Sequence, residues 1–350
     1  MYEEHFGLSA RPFDLTSDPR FWVFTTVHQE ALSNLQYGIA SAKVVTLLVG
    51  EAGTGKTTIL RAAIDKQPIH THAVHLENPA LTRAEFVQMI AAKFALSDHA
   101  RKSKTDLLLE LEETLRERAA AKQLTVLVID EAQSVPYDLL EELRLLTNIE
   151  IDGGKPLSLV LAGQPELAVR LNEPAWRQLK QRVALRCELR PLSLRETAVY
   201  IASRIKVAGG NPAQLFTRDA IVLLHQFARG IARTINVIAD NALLGAFAAD
   251  IRTVTSHIVL EVCKDFDLTA SAEFATTHVA PSSIPRTSNQ LSTFEQHVVD
   301  SAIPQPTARK TDVEFKVTKR DDPATDKERL SKKSLGTASA PLLGLSSAQK

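Results

Sequence analysis

Three continuous apolar runs mark the first half of the chain: residues 44–49 (VVTLLV), 124–129 (LTVLVI) and 157–162 (LSLVLA). Uncharged runs of this length suit parallel strands covered by helices on both faces. Weaker strand patterns lie at 72–76 and 184–189. Between them, apolar positions recur at helical spacing and predict helices over 56–66, 82–95, 105–122 and 136–149. The last holds Pro136 in its first turn, where a missing N–H costs nothing. Strand and helix alternate through 43–190, which predicts an α/β fold with a doubly wound parallel sheet.

After residue 192 the strand pattern stops. Ser193, with Glu196 three residues on, has the form of a capping box and predicts a helix through 207. Thr217 is placed to cap a second helix with Ala220, Leu223, Leu224 and Phe227 on one face. Ile235, Ile238, Ala239, Ala242 and Leu243 trace a third over 232–249, and a fourth is predicted over 256–264. This is a small all-helical domain. Beyond it the composition changes: residues 270–350 hold 11 Ser, 9 Thr and 6 Pro, with bulky side chains as isolated as Phe274, Phe294 and Phe315. Such a segment buries too little apolar area to offset its ordering entropy and is expected to be disordered, apart from a short helix near 291–302. The chain therefore divides into an α/β core with an N-terminal lead (1–191), a helical domain (192–268) and a tail (269–350).

Charge sharpens this picture only locally. The 350 residues carry 41 Lys+Arg and 41 Asp+Glu, a formal net charge of zero, which argues against attachment to nucleic acid or membrane by bulk charge. No apolar stretch is long enough to span a bilayer, and the first residues have neither a basic nor an apolar leader segment, so a cytoplasmic protein is expected. Cys187 and Cys263 lack metal-ligand spacing and read as small buried residues. His70, His72 and His75 alternate across a predicted strand, which puts the first two on one face and the third on the other and disfavours a shared metal.

Chemistry concentrates at the strand ends. Gly50-Glu51-Ala52-Gly53-Thr54-Gly55-Lys56-Thr57, followed by Thr58, fits the phosphate-loop pattern between a strand and a helix. Its glycines let successive N–H groups turn inward on phosphate oxygens, and the helix aims its positive end at the same anion. Lys56 is placed for the β- and γ-phosphates of ATP and Thr57 for Mg²⁺. The second run ends in Asp130-Glu131, where Asp130 suits the metal side and Glu131 the base that activates water. The third leads to Gln164, a candidate for the γ-phosphate or the attacking water. A basic stretch, Arg177, Lys180, Arg182, Arg186 and Arg190, offers an arginine to a neighbouring subunit's phosphoryl group, with Arg182 preferred over Arg177. Arg233 stands in the first turn of a predicted helix, where its charge opposes the macrodipole unless a phosphate offsets it.

Taken in order, these motifs resemble the AAA+ ATPases, and within them the ExeA-like family of general secretion pathway protein A. The narrower likeness rests on Phe6-Gly7-Leu8, Pro12-Phe13-Asp14-Leu15, Asp18-Pro19-Arg20-Phe21 and His28-Gln29-Glu30-Ala31-Leu32. It rests also on Asp130-Glu131-Ala132-Gln133, Gly163-Gln164-Pro165-Glu166-Leu167, Gln181-Arg182 and Gly230…Arg233…Asn236. The resemblance covers residues 1–265. It implies a five-stranded parallel sheet with a helical lid, binding and hydrolysis of ATP with Mg²⁺, and assembly with copies of itself. Under it Lys56, Thr57, Asp130, Glu131, Gln164, Arg182 and Arg233 take the Walker A, Walker B, sensor-1, finger and sensor-2 roles, and Phe21, Trp22 and His28 lie near the adenine. That family continues into a membrane span and a peptidoglycan-binding part, which residues 270–350 do not offer. Transposition ATPases that assemble on DNA carry similar modules, so DNA stands as an alternative partner beside an unknown protein.

Overall fold

The computed structural model describes residues 1–16, 18–68, 70–77 and 79–268; the expected disorder of the tail and the helix near 291–302 lie outside these. Five strands form one parallel sheet: β1 (Val45–Gly50), β2 (Thr71–Leu76), β3 (Leu124–Ile129), β4 (Leu157–Gly163) and β5 (Val183–Leu189). Their order is β2-β3-β4-β1-β5. The three runs that read most clearly as strands are the three in the centre. Every residue of β1 and β4 is buried, whereas the edge strands β2 and β5 alternate toward solvent. That exposure is why their sequence signal is weaker.

Thirteen helices surround or follow the sheet in the described residues. They are α1 (Tyr2–Phe6), α2 (Thr26–Ala40), α3 (Lys56–Asp65), α4 (Arg83–Lys93), α5 (Lys104–Ala120), α6 (Tyr137–Leu146), α7 (Pro165–Arg170) and α8 (Arg177–Lys180), then α9 (Leu194–Val207), α10 (Pro212–Leu215), α11 (Arg218–Ala228), α12 (Ala232–Ala248) and α13 (Ser256–Asp265). The expected caps form. Ser193 and Glu196 make a reciprocal capping box, and the Thr217 hydroxyl accepts from the Ala220 N–H. Pro136 sits one residue earlier than expected, as the N-cap of α6 rather than inside its first turn.

Two apolar cores sandwich the sheet. One gathers Phe86, Ile90, Leu111, Leu115, Leu143 and Trp176 from the α4, α5 and α6 side; the other joins Leu35, Ile39, Ile59 and Leu60 of α2 and α3 to the opposite face. A third core belongs to the helical domain, and it contains a surprise. Tyr2, Phe6, Leu8, Phe13 and Phe21 of the N-terminal lead pack there, among Ile201, Ile205, Ile235 and Leu243, and not on the sheet to which sequence order attached them. Both faces of the sheet are already covered, whereas the short helices of the lid leave apolar surface that these aromatic rings close. The lead thus crosses from the lid to α2 past the carboxyl ends of the strands.

Candidate nucleotide-binding site

Parallel register brings the chemistry to one edge. Val49 lies opposite Gly163, and Ile129 opposite Leu161, so Gly50 and Gln164 emerge at the same level and Asp130 leaves the neighbouring strand two residues below it. The carboxyl ends of an open parallel sheet are where such folds hold ligands. A cleft of about 340 Å³ opens there, bounded by the phosphate loop on one side and by Tyr200, Arg204, Arg233 and Asn236 of the lid on the other. Residues 14–16, 18 and 21–24 of the lead close its end, including Phe21 and Trp22.

The loop has the curvature its glycines were expected to supply. Gly53 has φ +81°, and a Cβ there would lie 2.8 Å from Cβ of Arg233. The Arg233 N–H donates to the Gly53 carbonyl at 3.1 Å, so the lid rests directly on the loop. Thr54 is buried, and its hydroxyl donates to the Glu51 carbonyl at 2.8 Å. Glu51 and Ala52 face solvent, while Thr57 and Thr58 line the cleft at the start of α3.

Lys56 is 5% exposed, and its Nζ donates to the carbonyls of Gly50 (2.9 Å) and Glu51 (3.1 Å). Burial lowers its pKa, against the opposing pull of Glu131, Asp130 and Glu51. Its ammonium is thus curled into the loop it serves. The Thr57 hydroxyl donates to Asp130 Oδ2 at 2.8 Å. Two hard oxygen groups side by side on a phosphate cradle are the donor chemistry of Mg²⁺, which keeps waters and phosphate oxygens in its remaining positions. The cradle, the ammonium and this oxygen pair together fit a nucleotide with its metal.

Glu131 adopts the left-handed conformation, φ +50°, at the turn out of β3. Its Oε2 accepts from Gln133 Nε2 (2.5 Å) and from Gln164 Nε2 (3.3 Å). The expected base and the expected sensor are therefore brought together, with Gln133 as a third member that sequence reasoning quoted only within a motif. Arg182 and Arg177 are not at this site in the same chain. Val183 pairs beside Val45 and Leu189 beside Gly50, so Arg182 lies at the opposite end of β5, roughly 20 Å of strand away. Its guanidinium donates to the Arg144 carbonyl and the Thr147 hydroxyl. Arg177 is exposed on α8.

His28, which the resemblance put near the adenine, lines the cleft and also props the phosphate loop. Its Nε2 lies 3.1 Å from the Thr54 carbonyl, and its Nδ1 lies 2.8 Å from the Thr25 hydroxyl and accepts from the Thr25 N–H at 3.3 Å. A ring accepting at Nδ1 donates at Nε2, so the imidazole is neutral, and burial holds its pKa below the ordinary value. Phe21 and Trp22 do line the cleft, and the buried Trp22 indole N–H has no partner among the described residues. Arg204 went unnoticed in the sequence. It is buried and binds no carboxylate among the described residues, donating to the carbonyls of Pro12 and Asp14 and to Tyr200 Oη, beneath the Phe21 and Tyr200 rings. Nothing in a helical Arg at that position signals a long-range partner.

Comparison with known proteins agrees with this architecture. Residues 39–171 match the AAA domain family. Over those residues the core is similar to an AAA domain. The chain is also 40% identical over 249 residues to general secretion pathway protein A of Aeromonas hydrophila, an alignment covering 71% of this chain and 45% of that protein. It thus spans under half the length of that relative. By fold, the core and lid resemble the Aeropyrum pernix ORC2 protein solved in ADPNP–ADP complexes, with TM-score 0.56 at 16% identity over 73% of this chain and 72% of that one. Cdc6p from Pyrobaculum aerophilum gives TM-score 0.53 at 19% identity over 75% and 70%. No helix among the described residues is long and apolar enough to cross a membrane.

Proposed function

We propose that the protein is a Mg²⁺-dependent ATPase whose nucleotide state sets its assembly with copies of itself and its action on a partner protein, in the manner of a cytoplasmic secretion-type AAA+ module. The observation that carries this reading is the convergence of Lys56, Thr57, Asp130, Glu131 and Gln164 on one end of the sheet, with Arg233 of the lid against the same loop. Lys56 exchanges its loop carbonyls for the β- and γ-phosphates. Bound Mg²⁺ would neutralise charge on the same phosphates. Asp130 and Thr57 hold the metal side, Glu131 takes the proton of the attacking water, and Gln164 orients the reacting groups. Arg233 senses the phosphates from the lid, so hydrolysis changes the angle between lid and core. Arg182, or failing it Arg177, completes the site of a neighbouring subunit.

The test pairs nucleotide binding with turnover. Lys56→Ala should abolish binding of a fluorescent ATP analogue. Glu131→Gln should retain binding and hydrolyse at least about 100-fold more slowly, the usual weight of a general base. Turnover by Glu131→Gln at the wild-type rate would remove Glu131 from the role of base. The same assay with duplex DNA separates the alternative partner: stimulation that collapses steeply with salt marks a DNA-assembled ATPase, and its absence supports a protein partner.

A further inference from the structure

The sheet is left open along one edge. Among the described residues β5 pairs with β1 alone, so the outer side of Val183–Leu189 carries backbone N–H and C=O groups that no further strand takes up. Helix α2 packs on one face of this strand, where its Ala31 and Leu35 share a core with Cys187 and Leu189. It is drawn tightly onto the sheet at Gly38, where a Cβ would lie 2.6 Å from Thr46 Oγ1 and 3.1 Å from Leu185 Cδ1. Nearer its N-terminus a groove of about 370 Å³ lies between helix and strand. Val27, Glu30, Ala31 and Asn34 line the helix side, and their spacing makes them one face of α2. A helix face beside an unpaired strand edge is the arrangement into which an extended peptide adds as a further strand.

The opposite face of β5 carries charge in a fixed order. Arg186 and Glu188, then Arg190 just past the strand, are all exposed. Alternate residues of a strand share a face, so these three stand in a row. Arg186 and Glu188 are 3.6 Å apart and each more than half exposed, and Arg190 enters no ion pair among the described residues. Such a row is open to charged neighbours on an added strand.

We propose that this groove docks an extended segment of a partner protein, which joins the sheet as a sixth strand beside β5. The two faces set its chemistry. Side chains turned toward α2 meet Val27, Ala31 and Cys187 and are apolar. Those on the other face meet Arg186, Glu188 and Arg190, and read acidic, basic, acidic. That order is the same from either end, so it suits a parallel or an antiparallel segment. The groove also adjoins the nucleotide cleft. Leu189 lies opposite Gly50 at the start of the phosphate loop, and His28, next to Val27, reaches the Thr54 carbonyl. The inference gives the partner of the proposed function a docking site, and it rests on that reading for the partner being a protein.

The experiment titrates fluorescein-labelled peptides with the full chain, without nucleotide, and reads anisotropy. The probes are STEVKVETS, its charge-swapped form STKVEVKTS, and two forms of the first N-methylated on alternate sets of amides. Wild type should bind STEVKVETS at least about tenfold tighter than STKVEVKTS, because three cross-strand pairs turn from attraction to repulsion. The variant R186E/E188R/R190E, with folding checked by thermal melting, should reverse that preference. One N-methylated form should lose binding by a similar factor and the other keep it, since a strand turns alternate N–H groups to its neighbour. Asn34→Trp, which fills the groove and leaves the row of charges in place, should weaken binding as well. No saturation by STEVKVETS up to about 1 mM overturns the proposal. So does a preference that the triple variant leaves unchanged, or an equal effect of both N-methylations. If Asn34→Trp instead turns a nucleotide-free dimer into a monomer by light scattering, the groove joins copies of the chain and the proposal falls. Because no ATP is present, a failed hydrolysis assay would strike the proposed function and leave the peptide result standing.

Discussion

At the residue scale, His28 links the lead to the phosphate loop through a proton it must not gain. Its folded pKa lies below the ordinary 6.5, because burial disfavours the charged ring. The unfolded chain therefore binds a proton near pH 6.5 that the native protein refuses, and stability is lost as pH falls from about 6.5 toward the lower folded value. Melting temperature should drop between pH 7.5 and 5.5 in wild-type protein, and the drop should shrink in His28→Asn; equal drops would remove His28 as its source. Gly53 is a second decisive residue. In Gly53→Ala the methyl group meets Cβ of Arg233 at 2.8 Å on a backbone with φ +81°, so strain of about 1–3 kcal/mol falls on the join between loop and lid. We expect roughly 5- to 100-fold weaker binding of a nucleotide analogue, measured by titration, with the sheet core intact. The sequence showed that a glycine stands here, but not what presses on it.

At the element scale, the lead is joined to the lid by a buried arginine. Arg204 of α9 satisfies two carbonyls that the chain at Pro12 and Asp14 would otherwise leave unpaired. Arg204→Met should cost about 2–4 kcal/mol, since the carbonyls lose charged donors inside a packed region. A melting temperature lowered by roughly 5–15 °C is expected. A shift under 2 °C would mean that the aromatic packing of Tyr2, Phe6 and Phe13 holds the lead without it. Elements with strong periodicity were legible to within a few residues: β1, β3 and β4 as buried runs, α9 and α11 from their caps. α2 was missed, although Ala31, Leu32, Leu35 and Ile39 stand at helical spacing and could have revealed it. The lead's placement was not legible at all, because aromatic residues announce burial without naming the core that receives them.

For the whole molecule, the division of the site between two chains is the question that matters most. Arg182 lies at the far end of β5 from its own phosphate loop, so any role in hydrolysis is played in a neighbour. Arg182→Ala should bind nucleotide normally and hydrolyse at least about 100-fold more slowly. Mixed with Lys56→Ala, which keeps the arginine and lacks a working loop, it should recover part of the lost activity. Failure to recover on mixing, with both variants folded, would turn attention to Arg177 or to a site complete within one chain. Rates that climb more than proportionally with protein concentration would be the wild-type counterpart of the same result.

The sequence by itself determined the chemistry of the loop and the class of fold. Both are local: a glycine-rich turn between strand and helix, and a burial pattern of runs and periods, are written in consecutive residues. It also supplied Asp130, Glu131 and Gln164 as strand-end candidates, because a parallel sheet delivers such ends to one edge. Tertiary structure alone decided which groups meet there. The hydrogen bond from Gln133 to Glu131, the prop of His28 under Thr54 and the anchoring of the lead by Arg204 join residues separated by 2, 26 and up to 192 positions. Even the nearest of these depends on a left-handed turn at Glu131 and on the open space beside Gly163. Such contacts follow from the register of strands and the competition of apolar surfaces for cover, which only the folded chain resolves.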